Sequence, residues 1–357
     1  MTMRKTFSRA AAVMGLLCAI AGSSCEAVAQ TKVRVGWCTS VLTTGVIPFG
    51  VATKMGWFKD QGITVELVNF PGTSDCVRNV ATGEVLAAVP SVEPVATLLL
   101  QGVKTKVFYT AYRRNIFGLA VPVDSAIKDY KDLKGKKIGV TSMASTGVLV
   151  ARSVSAAAGL DPDRDVRVVV SGQPAQTATL LKKGEVDAVS QWDVNYILIA
   201  RAGVPLRLMV DPEVASFPAN SFVALDETIK NKPELLVALT RAYTMGAIYA
   251  IRNPLAATRM FHEVYPQVVP AGLEPAAAVA EQAELLEAVV KSWVLDKPTE
   301  KWGSSDLIVY QRYLDWLHKW GALKEPVSAS DITTNELVAA INKFDLSTIE
   351  KALASRQ

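Results

Sequence analysis

Short apolar runs and helical stretches alternate in strict turn along residues 33–112, and the same order restarts at residue 116. Residues 33–37 read as a strand, 48–58 as a helix closing near Gly56, and 64–68 as a second strand. Ser74 or Asp75 can cap a helix that runs to Thr82 and stops at Gly83. A strand at 86–89, a helix at 92–101 and a strand at 106–112 complete the run. The second run reads as strands at 116–121, 138–140, 165–170, 188–190 and 206–210, with helices at 146–158, 175–183 and 195–201. Strand and helix in alternation imply a parallel sheet covered on both faces, so two α/β units are expected. From Lys232 onward the spacing is helical: Leu235, Leu236, Leu239, Ala242 and Tyr243 share one face, and Leu307, Tyr310, Leu314 and Leu317 another. That tail is too long for a linker and is expected to pack back on the first unit. The expected organisation is a discontinuous first lobe, 30–112 plus 220–357, and a continuous second lobe, 113–219. The crossings fall near Tyr112 and between Ala215 and Asn220.

Half of the residues are hydrophobic and a fifth charged, the balance of a globular chain with a sizeable core. Net charge is +4, and Arg4, Lys5 and Arg9 against Glu26 account for two of those charges. The rest carries no basic stripe, which argues against a nucleic-acid partner. The same three bases precede a short apolar run at 10–21, and Ala27-Val28-Ala29 supplies the small residues a signal peptidase accepts. Residues 1–29 therefore read as a signal peptide cut after Ala29, placing the mature chain in the periplasm. The apolar run falls short of the ~20 residues of a spanning helix. Lipidation at Cys25 is the weaker alternative, because Gly22-Ser23-Ser24 lacks the large aliphatic residue expected three places earlier. Cys38 and Cys76 survive cleavage, and an oxidising compartment allows either a disulfide or two separate thiols.

Four stretches resemble one family. They are Pro48-Phe49-Gly50-Val51-Ala52-Thr53-Lys54-Met55-Gly56-Trp57-Phe58 with Gln61-Gly62-Ile63-Thr64-Val65; Asp132-Leu133-Lys134-Gly135-Lys136-Lys137-Ile138; Leu181-Lys182-Lys183-Gly184-Glu185-Val186-Asp187-Ala188-Val189; and Asp331-Ile332-Thr333-Thr334-Asn335-Glu336-Leu337. In that order they resemble the substrate-binding proteins of ABC transporters of the nitrate/sulfonate/taurine type, with their pyrimidine-precursor-binding relatives. The resemblance implies an α/β, two-lobed periplasmic binding protein of type II, with a hinge and a helical C-terminal extension packed on the first lobe. It further implies a monomer that captures a small polar organic molecule, of the sulfonate, amino-sulfonate or heterocycle class. The molecule would pass to an ABC permease and through it to the ATPase. One departure stands out: Gly83-Glu84-Val85-Leu86 carries Leu where the family pattern, kept at Gly184–Asp187, has Asp.

In open α/β sheets ligands sit beyond the carboxyl ends of the strands. That rule selects Trp37, Cys38 and Thr39 after the first strand, Thr73 and Ser74 after the second, and Ser91 and Glu93 after the third. In the second unit it selects Ser142, Met143, Ser145 and Thr146, then Gln191, Trp192 and Asp193. Hydroxyls at the start of the helix near Thr146 suit an anionic group met by free N–H donors, although Ser and Thr also serve as ordinary caps. Trp37 and Trp192 are candidates to line the cleft or to belong to the core. Glu93 and Asp193 can receive a ligand amine or ring N–H, or else pair with bases across the lobes. Arg113 and Arg114, at the hinge, can pair with an anion or, as the favoured reading, with lobe-surface acids. Mixed donors and acids without an arginine pair favour a zwitterionic or heterocyclic ligand over a bare oxyanion.

Two other function classes compete. A pyrimidine synthase shares the implied fold, but its activity goes with a cysteine-rich motif and histidines. Here only Cys38, Cys76, His262 and His318 remain, without metal-ligand spacing. No nucleophile elbow, phosphate loop or dinucleotide fingerprint is present, so no enzyme activity, metal or cofactor is expected. A binding module feeding a sensor remains the other alternative.

Overall fold

The computed structural model describes residues 30–297 and 299–355. The expected leader, residues 1–29, lies outside them, and Cys25 with it. Among these residues, ten strands form two five-stranded sheets. The first contains β1 (Thr31–Trp37), β2 (Ile63–Asn69), β3 (Ala87–Ala88), β4 (Thr105–Thr110) and β10 (Ser221–Leu225), in the order β2-β1-β3-β10-β4. The second contains β5 (Leu119–Pro122), β6 (Lys137–Val140), β7 (Arg167–Val170), β8 (Ala188–Val189) and β9 (Leu206–Met209), in the order β7-β6-β8-β5-β9. β1 shows why such segments become strands: branched Val33 and Val35 turn inward with Trp37, while Lys32 stays exposed.

The sheets are mixed, which corrects the expectation of parallel ones. β10 runs antiparallel to β3 and β4, and β5 antiparallel to β8 and β9. Each is the first strand laid down after the chain crosses between sheets. The preceding strand ends at the face where the sheets meet, so the next must start there and run away from it. β10 was not read as a strand from sequence. The crossing segments also pair with each other, Tyr112 N to Asn220 O at 2.9 Å and Ala219 N to Tyr112 O at 3.0 Å.

The helix read at 48–58 is two, Ile47–Lys54 and Trp57–Asp60, because Gly56 takes φ +77° between them and ends the first. The helix Thr73–Ala81 begins before Ser74 and Asp75, so neither caps it; its N-cap is Gly72, and Asp75 faces Arg78 at 3.6 Å. Asp187 accepts the Lys137 N–H at 2.8 Å, at the strand ends remote from the meeting face. At the matching point of the first sheet, Leu86 N donates to Arg34 O while Arg34 pairs with Glu84. The sequence departure at Leu86 is therefore a local change in how a strand start is tied.

The C-terminal helices Pro233–Arg252 and Pro254–Val264 pack on Ile47–Lys54 in a core that includes Phe49, Phe222, Tyr243 and Phe261. Thr333 bridges to Val107 and shields edge strand β4. A second apolar cluster runs without a break from Val92 and Val95 through Phe217 and Tyr313 to Val150 and Val154, joining the two α/β units. Helix Pro275–Val290 also spans them: Arg201 donates to Glu281 at 2.9 Å and Glu284 at 2.8 Å. Among the described residues no helix is long and apolar enough to cross a membrane.

Candidate functional site

The carboxyl ends of β1, β2, β6, β7 and β8 converge on one cavity of about 60 Å³ between the sheets, several times the ~10–15 Å³ one water needs. Helices Thr73–Ala81, Thr146–Ala157, Pro174–Lys182 and Asp193–Arg201 all begin at its wall, and none has a side-chain hydrogen bond from its N-cap residue. First-turn N–H groups and the positive ends of four helix dipoles are thus gathered around a small space.

Of the residues selected from sequence, Trp37, Cys38, Thr39, Thr73, Ser145, Thr146, Trp192 and Asp193 line the cavity. Thr146 is also where the units meet: its hydroxyl lies 3.0 Å from that of Thr73 and within hydrogen-bonding reach of Ser91. Ser142 donates to Pro71 O at 2.8 Å, and Ser74 N to Ala144 O at 3.3 Å. Ser74, Ser91 and Ser142 therefore hold the units together from outside the wall. Gln191 is buried behind it, donating to Ser171 and Thr177 and accepting from Asn195. Met143 is 59% exposed and points elsewhere. Cys38 and Cys76 are joined in a disulfide, with Cα atoms 5.4 Å apart.

Several wall residues escaped the strand-end rule. Tyr112, Ile116, Phe117 and Asn220 come from the crossing segments, Thr43 to Gly45 from the loop before the first helix, and Val289 from the distant tail. Three buried polar atoms in the wall have no partner: the Trp37 indole nitrogen, the Ser145 hydroxyl and the Asn220 amide oxygen. Buried polar groups are normally satisfied, so these three atoms mark incomplete hydrogen bonding in residues of the wall.

The charges are sparse. Burial pushes the Asp193 carboxyl up to about 6, against the Val194 backbone N–H that it accepts at 2.7 Å. Arg113 pairs with Glu300 at 2.8 Å and Arg114 with Asp296, so both hinge arginines hold surface acids. Glu93 is 1% exposed and lies off the cavity, accepting from the Tyr313 hydroxyl. Burial raises its carboxyl above the ordinary range, and hydrogen bonds from Ser91 and Tyr313 offset only part of that. The folded chain thus retains a proton that the unfolded chain releases, and stability on this account falls as pH rises above the usual glutamate range. Glu93→Gln, which keeps an acceptor for Tyr313, is expected to gain stability relative to the parent as pH rises from 4.5 to 8. Urea unfolding at the two pH values checks this; equal differences would count against it.

A family model described as NMT1/THI5 like matches residues 43–257. The nitrate/nitrite binding protein NrtA of Nostoc sp. is 24% identical over 245 residues, 62% of this chain and 54% of that protein. The chain spans 34% and 54% of the first two curated relatives it matches. A putative aliphatic sulfonates-binding protein of Bacillus subtilis is 21% identical over 347 residues, 94% of this chain and 96% of that one. A 4-amino-5-hydroxymethyl-2-methylpyrimidine phosphate synthase of Saccharomyces cerevisiae is 22% identical over 237 residues, 62% and 68% of the two chains. Among solved structures, the alkanesulfonate-binding protein SsuA from Xanthomonas axonopodis pv. citri bound to MOPS superposes with a TM-score of 0.63 at 17% identity, covering 85% of this chain and 98% of that one. That likeness shows the two-lobed binding-protein fold.

Proposed function

The chain belongs to the NMT1/THI5-like family, and from that premise we propose that it is an exported solute-binding protein. It captures a small polar organic molecule between two lobes, 30–112 with 220–357 and 113–219, and delivers it to an ABC importer. The leader sends it to the periplasm, where it acts as a monomer. The observation that carries this reading is the cavity, walled from both sheets and holding three unpartnered buried polar atoms. Contacts made by both lobes exist only when they are together, so a ligand touching both favours the closed form.

The synthase relative gives the competing reading. Against it, the cysteine of the wall, Cys38, has no free thiol, being tied to Cys76. His262 faces Gln282, and His318 lies 3.1 Å from Leu323 O, both off the cavity wall. Among the described residues no cluster of three or more His, Cys, Asp or Glu is placed to hold a metal.

A thermal-shift screen of the chain from Gln30 tests capture, using amino-sulfonates, pyrimidines, aromatic acids, amino acids and oxyanions. A bound ligand should add about 2.7 kcal/mol at a hundredfold excess over Kd. Turnover of a bound pyrimidine precursor would favour the synthase reading instead.

A further inference from the structure

Apart from the helix N-termini, which can meet an accepting group, the described residues of the cavity wall offer an anion no positive side chain. Among the described residues lining it there is no lysine, arginine or histidine, and Asp193 is the single acid. One oxygen of Asp193 accepts from Val194 N, and no cationic side chain offsets the cost of its burial. The nearest arginines in sequence to the hinge wall, Arg113 and Arg114, are turned onto Glu300 and Asp296. A carboxylate held out of water without a counter-charge is costly, and a helix N-terminus compensates only in part. Trp37, Tyr112, Phe117 and Trp192 stand in the same wall, and aromatic faces attract cations.

We infer that the ligand carries a protonated nitrogen, an amine, amidine or ring N–H⁺, seated on Asp193 among these four aromatic side chains. The inference rests on the capture reading above. The nitrogen supplies Asp193 with its missing counter-charge, while a hydrogen-bond-accepting group elsewhere on the ligand meets the Trp37 indole N–H and the Ser145 hydroxyl. Nitrate and alkanesulfonates without an amine, such as ethanesulfonate, lack that nitrogen.

The sign of the pH dependence separates a cation from an anion. Asp193 faces Tyr112 across the cavity and Tyr196 on its own helix, and burial raises both phenols further above their ordinary range. Behind it, Arg114 and Lys291 line an adjoining groove, and Tyr130 and Asp211 a smaller cleft. Asp211 is engaged by the Glu213 and Val214 N–H groups. No histidine faces this point among the described residues, so Asp193 is the group there that changes charge between pH 5 and 7. Affinity for an amine should therefore fall about tenfold from pH 7 to pH 5.

Calorimetric titration of the native chain tests this with matched probes: taurine against isethionate and ethanesulfonate, 4-aminopyridine against 4-methylpyridine, and nitrate and sulfate. The expected result is preference for the protonated nitrogen in each pair and loss of affinity below pH 6. Asp193→Asn, which keeps an oxygen to accept the Val194 N–H, should weaken that binding by about 10- to 100-fold. The pH titration of the parent protein gives the same reading without a variant. Tighter binding of nitrate, sulfate or ethanesulfonate, strengthening as pH falls, would overturn the inference and leave capture standing. Amine binding indifferent to both Asp193→Asn and pH would overturn the role of Asp193. Binding of no probe by the folded protein would count against capture itself and, with it, this inference.

Discussion

Replacing Gly72 by alanine is expected to weaken ligand binding about 100-fold, with a much smaller loss of thermal stability in the ligand-free protein. Gly72 is extended, with φ −174° and ψ 174°, a conformation any residue adopts. Its new Cβ would lie 2.4 Å from Ala144 O and 2.5 Å from Ala144 C. Gly72 follows β2 and Ala144 follows β6, so the clash is between the two lobes and not within either. Backbone cannot swing aside as a long side chain does, and relief comes from parting the lobes by about 1 Å, to ordinary contact distance. Parting stretches Ser74 N to Ala144 O, Ser142 to Pro71 O, and Thr73 to Thr146, now at 3.3, 2.8 and 3.0 Å. If the binding-competent closed form falls to about 1% of molecules, the apparent Kd rises about 100-fold. The glycine-to-alanine change at an N-cap costs about 0.5–1 kcal/mol on its own, well below the ~2.8 kcal/mol of a 100-fold change in Kd. Calorimetry for affinity and a thermal scan without ligand check both halves of the expectation. Unchanged affinity would mean that the Gly72–Ala144 approach is not part of the ligand-bound state.

The strand–helix order and the strand-end loops were legible because they rest on local patterns. Val33, Val35 and Trp37 alternate, Gly83 and Gly184 stop helices, and hydroxyls gather before Thr146. β10 escaped because Ser221 to Leu225 is five residues long and buried almost throughout, so it lacks the alternation that marks a half-exposed strand. Its direction could not be read either, since it depends on where the chain re-enters the first sheet. The same limit explains the wall. Trp37 ends β1, and Thr73, Ser145, Thr146, Trp192 and Asp193 follow strands of one unit or the other. Tyr112 and Asn220 reach the cavity because the two crossings pair side by side, and Val289 because a tail helix spans both units. No local pattern carries that information. Glu93 shows the converse: it follows β3 as the rule requires, yet its helix turns it toward Tyr313 and away from the cavity.

Serine at both Cys38 and Cys76 is expected to remove about 4 kcal/mol from the unfolding free energy of the first lobe. The estimate follows from the separation of 38 residues that the bond closes, since a loop of that length costs the unfolded chain its freedom. The bond ties the segment after β1 to helix Thr73–Ala81, and both sulfurs are buried with Val80, Val85 and Ala88. Changing both residues avoids leaving a lone reactive thiol. The effect should extend to the site, because Cys38 stands in the wall between Trp37 and Thr39, and Thr73 opens the helix that carries Cys76. Ligand affinity should therefore fall along with stability, and reductant on the parent protein should reproduce both changes. Two lobes need not unfold together, so the loss is to be read from the lobe bearing β1, by urea unfolding followed by hydrogen exchange of β1 and β2. A saturating ligand would return part of the loss by binding only the folded form. A loss below about 1 kcal/mol would show that the unfolded chain is already restricted around these residues, and that packing rather than the cross-link holds Trp37 against the cavity.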